Sequence, residues 1–128
     1  MRKKITIIED NKPIANMYKF KLVQEGYDVD VAHTGPEGLE LVKRKRPHLL
    51  LLDLKLPHMN GDEVLRRLRQ TEWGELLKVL IISNIGLHHM PESLQDLDFD
   101  DYLIKAEHTP SELAEKIQLL LSHAPVSV

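Results

Sequence analysis

A chain of 128 residues is long enough for one well-filled hydrophobic core and short for two. Its formal charge of −3 leaves no electrostatic footprint for duplex DNA or RNA, and the lack of cysteine removes disulfides and thiolate chemistry, as suits a reducing compartment. The first apolar run, inside MRKKITIIED, is too short for a signal-peptide core or a membrane span, so a cytoplasmic protein with no membrane or direct nucleic-acid partner is expected.

In chain order, apolar or β-branched runs at Ile5 to Ile8, at Val29 and Val31, at Leu49 to Leu52, at Leu77 to Ile82 and at Tyr102 to Ile104 predict five strands. Helical spacing separates them. Ile14, Met17, Tyr18 and Leu22 form a first stripe, and Leu39, Leu41 and Val42 a second. Val64, Leu65 and Leu68 form a third, and Leu113, Ile117, Leu120 and Leu121 a last one, each predicting an amphipathic helix with one face toward a core. Pro13, Pro36 and Pro110 fall at helix starts, Gly26 falls where a left-handed cap is wanted, and Thr109 or Ser111 can cap the last helix. The stretch from Gly86 to Asp98 carries Pro91 and scattered apolar residues, so any helix there is short and begins late. The basic run Lys43 to Arg46 reads as a solvated helix end that complements the dipole.

Alternating strands and helices predict an α/β fold: a doubly wound, five-stranded parallel sheet covered on both faces by four or five helices, over residues 1–123. Residues 124–128 are expected to form a loose C-terminal tail. Ligands of such sheets bind beyond the carboxyl ends of the strands. Those ends carry Glu9 and Asp10, Asp53, Ser83 and Asn84, and Lys105. Asp53 directly follows the four leucines, an odd neighbour unless a charge is needed there, because burying a lone carboxylate costs several kcal/mol.

Two unit charges about 4 Å apart repel by roughly 4 kcal/mol at an effective dielectric near 20. Three clustered carboxylates therefore ask for a cation, and an all-oxygen set favours Mg²⁺, which commonly keeps waters and takes a phosphate. Lys105 and the Ser83 hydroxyl would then neutralise and orient phosphoryl oxygens, and one carboxylate could act as the nucleophile to give an acyl phosphate. His88 and His89 are adjacent rather than a helical turn apart, so they read as loop residues near the site and not as zinc ligands.

The pair Glu9-Asp10, Asp53 with Pro57 and Gly61 downstream, Ser83, and the run Asp101-Tyr102-Leu103-Ile104-Lys105 together resemble the receiver domain of bacterial two-component response regulators. The resemblance spans nearly the whole chain and rests on joint order and spacing. It implies a flavodoxin-like fold of the chemotaxis-regulator kind and a signalling switch that turns over no substrate. Asp53 would accept a phosphoryl group from a sensor histidine kinase or phosphotransfer protein. Asp10 and Asp53 would ligate Mg²⁺, with the Lys55 backbone carbonyl as a further ligand and Glu9 acting mostly through water. Ser83, Asn84 and Lys105 would hold the phosphoryl group. Ser83 and Tyr102 would move together to alter the surface of the fourth helix, fifth strand and fifth helix, which would dock an unidentified protein as a monomer or a weak, phosphorylation-dependent dimer.

Three departures from the family pattern stand out. Asn84 replaces a small residue after the switch hydroxyl and would hinder water or a donor. Lys55, two past Asp53, would tune phosphoryl lifetime and pair with Glu9 or a neighbouring acid in the empty site. Ala106 stands where proline usually follows the lysine, which removes the usual reason for a cis peptide. Two other functions compete. A phosphatase of the haloacid dehalogenase type needs a second acid two residues after its nucleophile, where this chain has Lys55. A non-phosphorylated, receiver-like interaction module would lack an acid or the lysine, and neither is missing. No output segment follows the last helix, so action by docking is expected, the alternative being the front of a longer regulator.

Overall fold

The computed structural model describes residues 2–86 and 89–122, so the predicted tail and His88 lie outside the described residues. Five strands form one parallel sheet: β1 (Lys4–Ile8), β2 (Asp28–Ala32), β3 (Leu49–Asp53), β4 (Lys78–Ser83) and β5 (Asp101–Ile104). Four helices alternate with them: α1 (Lys12–Gln24), α2 (Gly35–Lys45), α3 (Gly61–Arg69) and α4 (Pro110–Ser122). The strand order β2-β1-β3-β4-β5 makes β1 the point where the winding reverses, with β2 on one side of it and β3 on the other.

Side chains of a strand point alternately to the two faces, which splits the core in two. Ile8, Leu50, Leu52, Val79 and Ile81 pack with Val42 of α2 and Val64, Leu65 and Leu68 of α3. Ile5, Ile7, Leu49, Leu51, Leu80 and Ile82 pack with Tyr18 and Leu22 of α1 and Leu113 and Ile117 of α4. The leucine run of β3 thus feeds both cores, each side chain wholly buried and worth about 1.5–3 kcal/mol. Among the described residues one buried hydroxyl, that of Thr6 in β1, has no partner.

Helix starts follow the sequence signals. Asn11 Oδ1 accepts from Ile14 N at 3.0 Å and Thr34 Oγ1 from Glu37 N at 3.2 Å, with Pro13 and Pro36 in the first turns. Thr109 and Glu112 cap α4 reciprocally, each side chain accepting from the other's N–H. Gly26 ends the turn after α1 at φ +96°. The run Lys43 to Arg46 forms the last turn and left-handed cap of α2, and the Arg46 guanidinium lies 5.6 Å above the Trp73 ring.

One expectation is corrected. Met17 is exposed, and the core stripe of α1 is Ala15, Tyr18 and Leu22. Ala15 sits three residues before Tyr18 and seven before Leu22, the spacing that keeps one helix face inward, and Met17 falls on the outer side with Phe20 and Val23. Between β4 and β5 the described residues hold no α-helix, and the short, late element expected there is the 3₁₀ turn Glu92–Leu94. It starts directly after Pro91 and is pinned by buried Leu94 and by the Ser93 hydroxyl bonded to Asp62 of α3.

Gly61 fixes how the chain leaves β3. A Cβ on it would lie 2.3 Å from the Asp53 carbonyl oxygen and 2.8 Å from Leu54 Cα, both backbone atoms that no side-chain rotation can move. The Gly61 N–H donates to Leu54 O at 2.8 Å, drawing the turn back onto the strand end. Gly61→Ala should destabilise the domain by about 2 kcal/mol or more, near the upper part of the overpacking range. Urea unfolding checks this, with Gly86→Ala as a control, since a Cβ there meets nothing within 4 Å. Equal midpoints for the two variants would contradict the close approach.

Candidate functional site

At the carboxyl edge of the sheet, a cavity of about 370 Å³ is lined by Glu9, Asp10, Asn11, Ile14, Asp53, Lys55, Ser83, Asn84, Ile85 and Lys105. Every strand-end residue expected from sequence is there. Glu9 and Asp10 follow β1, Asp53 ends β3, Ser83 ends β4, and Lys105 opens a 3₁₀ turn directly after β5. Glu9 is fully buried and Asp53 is 3% exposed, whereas Asp10 is open to solvent. A larger cleft of about 470 Å³ between α1 and α4 has charged walls from Lys21, Glu25 and Glu115, but it contains none of the strand-end residues.

Lys105 holds the buried charges together. Its Nζ donates to Glu9 Oε1 and, at 3.0 Å, to Asp53 Oδ2. The Lys105 ammonium is disfavoured by burial, but its bonds to Glu9 and Asp53 outweigh that and raise its pKa above the usual lysine value. Burial and the neighbouring Asp53 raise the Glu9 pKa, against the pull of Lys105. Asp53 Oδ1 accepts from Lys55 N at 3.3 Å, and Glu9 Oε2 from Asn11 N at 3.2 Å. The expected pairing of the Lys55 ammonium with Glu9 or a neighbouring acid is corrected: Lys105 takes both Glu9 and Asp53, because β5 delivers it into the pocket, while the exposed Lys55 stands on the rim turn with no acid paired to it among the described residues. No described peptide bond is cis, in line with Ala106 after Lys105.

One oxygen from each of Glu9, Asp10 and Asp53 lies within 4.8 Å of the others. Hard oxygen donors at this spacing, two of them buried, suit a divalent cation that neutralises the excess negative charge. Burial and the adjacent Glu9 raise the Asp10 pKa. A carboxyl raised in the fold stabilises it most when protonated, and that increment is lost as pH rises through the folded value. Asp10→Ala should therefore raise the melting temperature of the metal-free protein at neutral pH and remove its response to Mg²⁺. Solvent screening at this exposed group limits the gain to about 1 kcal/mol, or roughly 4 °C. The difference should fade as pH falls below about 4, where both states of Asp10 are protonated. A variant melting no higher than wild type in EDTA would refute the repulsion.

Ser83 and Tyr102 meet at one residue. Ser83 Oγ accepts from Ile85 N at 3.0 Å, and the buried Tyr102 hydroxyl donates to Ile85 O at 2.7 Å. The Ser83 proton remains available for an oxygen in the cavity, and a shift of Ile85 reaches both side chains. Sequence reasoning missed Ile85, which no residue-type signal marks. It also passed over His33 at the end of β2, although the strand-end rule points to that position.

Fold and cavity define an α/β protein of the doubly wound, flavodoxin-like class with a charged strand-end site at its topological switch point. The chain belongs to the response regulator receiver domain family, whose profile matches residues 5–118. It is 33% identical over 124 residues to the response regulator ArlR of Staphylococcus saprophyticus, covering 95% of this chain and 54% of that protein. The chain spans about half the length of the curated relatives it matches. A CheY-like receiver domain from Methanospirillum hungatei superposes with a TM-score of 0.85 at 30% identity, over 94% of each chain. The receiver domain of a sensor histidine kinase from Pseudomonas aeruginosa gives a TM-score of 0.87 at 24% identity, covering 96% of this chain and all of that one, and holds magnesium in its active-site cleft. This is a receiver domain of two-component signalling. No helix among the described residues is long and apolar enough to cross a membrane.

Proposed function

We propose that Asp53 accepts a phosphoryl group from the phosphohistidine of a sensor kinase or phosphotransfer protein, in a Mg²⁺-dependent step, and that the acyl phosphate switches a docking surface. The observation that carries this reading is the convergence of Glu9, Asp10, Asp53, Ser83 and Lys105 on one cavity. An Asp53 carboxylate oxygen forms the new bond to phosphorus as the phosphorus–nitrogen bond of the donor breaks and the imidazole leaves. Magnesium, held by Asp10, Asp53 and the Lys55 carbonyl with Glu9 beside them, supplies charge neutralisation when bound. Lys105 turns from Asp53 Oδ2 to a phosphoryl oxygen, and the Ser83 hydroxyl donates to another. Asn84, on the cavity wall, narrows access for water and small donors.

Ser83, drawn inward, pulls on Ile85 and through it on the Tyr102 hydroxyl, so a local charge biases a two-state element. The responsive surface is built from the Glu92–Leu94 turn, β5 and α4 in place of a full fourth helix. The exposed row Met17, Phe20 and Val23 on α1, the helix whose first turn borders the cavity, offers the donor protein an apolar contact face. The domain turns over no substrate of its own and works in the cytoplasm, as a monomer or a weak phosphorylation-dependent dimer.

Intact-mass spectrometry after incubation with Mg²⁺ and acetyl phosphate, then with a phosphorylated histidine-kinase donor, tests the reading. One added phosphoryl group that requires Mg²⁺ is the expected result. No gain with either donor would leave a receiver fold used as an interaction module.

A further inference from the structure

The main-chain ladder between β1 and β2 ends where the Glu9 N–H donates to Ala32 O at 3.0 Å. Past that rung β2 leaves the sheet, because Thr34 caps α2. A side chain supplies the next rung. His33 Nδ1 lies 2.9 Å from the Glu9 carbonyl oxygen, and since a carbonyl only accepts, Nδ1 carries the proton and donates. Asp10 follows directly, and its exposed carboxylate is not fixed by packing, so the backbone at Glu9 and Asn11 places it over the cavity. That backbone is tied by the Glu9 N–H, by the Asn11 N–H on Glu9 Oε2, and by His33.

We propose that His33 is a positioning residue for the divalent-cation site: its Nδ1–H fixes the Glu9 carbonyl and thereby aims the Glu9–Asp10 carboxylate pair. The inference rests on the magnesium reading above. His33 touches no ligand oxygen itself. Its effect is that of a partner outside the coordination sphere, whose loss commonly weakens metal binding by about tenfold or more.

Asparagine and glutamine separate this role from simple bulk. The amide nitrogen of asparagine falls where Nδ1 sits, whereas that of glutamine falls near Nε2 and misses the carbonyl. Calorimetric titration of the full chain with Mg²⁺ should show about tenfold weaker binding for His33→Ala and His33→Gln, and wild-type affinity for His33→Asn. In metal-free protein the Asp10 amide resonance, which reports on the Glu9 carbonyl, should move in the alanine and glutamine variants and stay in place in the asparagine variant. A merely structural histidine would lower the melting temperature without this split. Wild-type affinity in the glutamine variant, or equal loss in the asparagine and glutamine variants, overturns the proposal. Absence of Mg²⁺ binding by the wild type overturns the metal reading and this inference with it, whereas normal wild-type binding with unchanged variants overturns this inference alone.

Discussion

Asp53→Asn should abolish the Mg²⁺-dependent gain of a phosphoryl group. An amide is not a nucleophile toward phosphorus under conditions where a carboxylate is, so the expected loss is complete rather than graded. The fold should survive the change. Asp53 ends β3 at 3% exposure, and its Oδ1 only accepts the Lys55 N–H, a bond an asparagine oxygen can keep. Its Oδ2 shares Lys105 with Glu9, so the substitution turns two buried carboxylates on one ammonium into a single matched pair. The metal-free variant should unfold at the same denaturant concentration as wild type or higher, while Mg²⁺ no longer stabilises it. Phosphorylation that persists in the variant would move the acceptor elsewhere, with Ser83 on the neighbouring strand β4 the first residue to map.

Lys105→Met should give the largest stability loss of any single change at the site. Methionine keeps most of the buried stem and removes the charge, leaving Glu9 and Asp53 without their shared cation. Breaking a buried pair by removing one partner costs about 3–5 kcal/mol, because the remaining charges stay desolvated. The sign of the pH dependence follows. Burial already raises the Glu9 carboxyl, and without the ammonium nothing offsets that push, so the variant is most stable at low pH, with Glu9 protonated, and loses stability as pH rises through the folded value of Glu9. Mg²⁺ offers the missing positive charge, so the gap to wild type should be wide in EDTA and narrow in Mg²⁺. Thermal melts across pH with and without the metal decide this. A gap that is small in EDTA, or equal in both conditions, would mean that Lys105 does not hold the site together. In wild type the raised Lys105 pKa keeps its contribution fully present below the ordinary lysine value, neutral pH included, and that contribution is lost on the alkaline side as pH rises through the folded value.

The legible and illegible parts of this protein divide along one physical line. Strands buried on both faces must be near-continuous apolar runs, which is why Leu49 to Leu52 marked β3 and why Asp53 stood out at its end. Helix starts showed because proline and capping side chains act within four residues of chain. Convergence of Glu9, Asp10, Asp53, Ser83 and Lys105 was legible too, since alternation of elements dictates a parallel sheet and such sheets gather their strand ends on one edge. Met17 was misplaced because two apolar stripes overlap on α1, and only the neighbours present in space select Ala15. Which lysine reaches Glu9 was equally hidden. Lys55 and Lys105 are the same residue type, and the choice depends on where β5 and the turn after β3 bring their side chains.

The sequence by itself determined the alternation of strands and helices and the side of the sheet where charge collects, because local periodicity and short-range capping need no knowledge of distant chain, and the order and spacing of Glu9, Asp10, Asp53, Ser83 and Lys105 carried its resemblance to the receiver family. Only the tertiary structure decided that Lys105 bridges Glu9 and Asp53, that Ile85 joins Ser83 to Tyr102, that His33 takes over from the ended ladder at Glu9, and that a 3₁₀ turn stands in place of a helix between β4 and β5. Each of these is a hydrogen bond or packing choice between groups distant in the chain, or one made by a bare carbonyl or amide. Its direction is set by backbone paths that residue types do not encode.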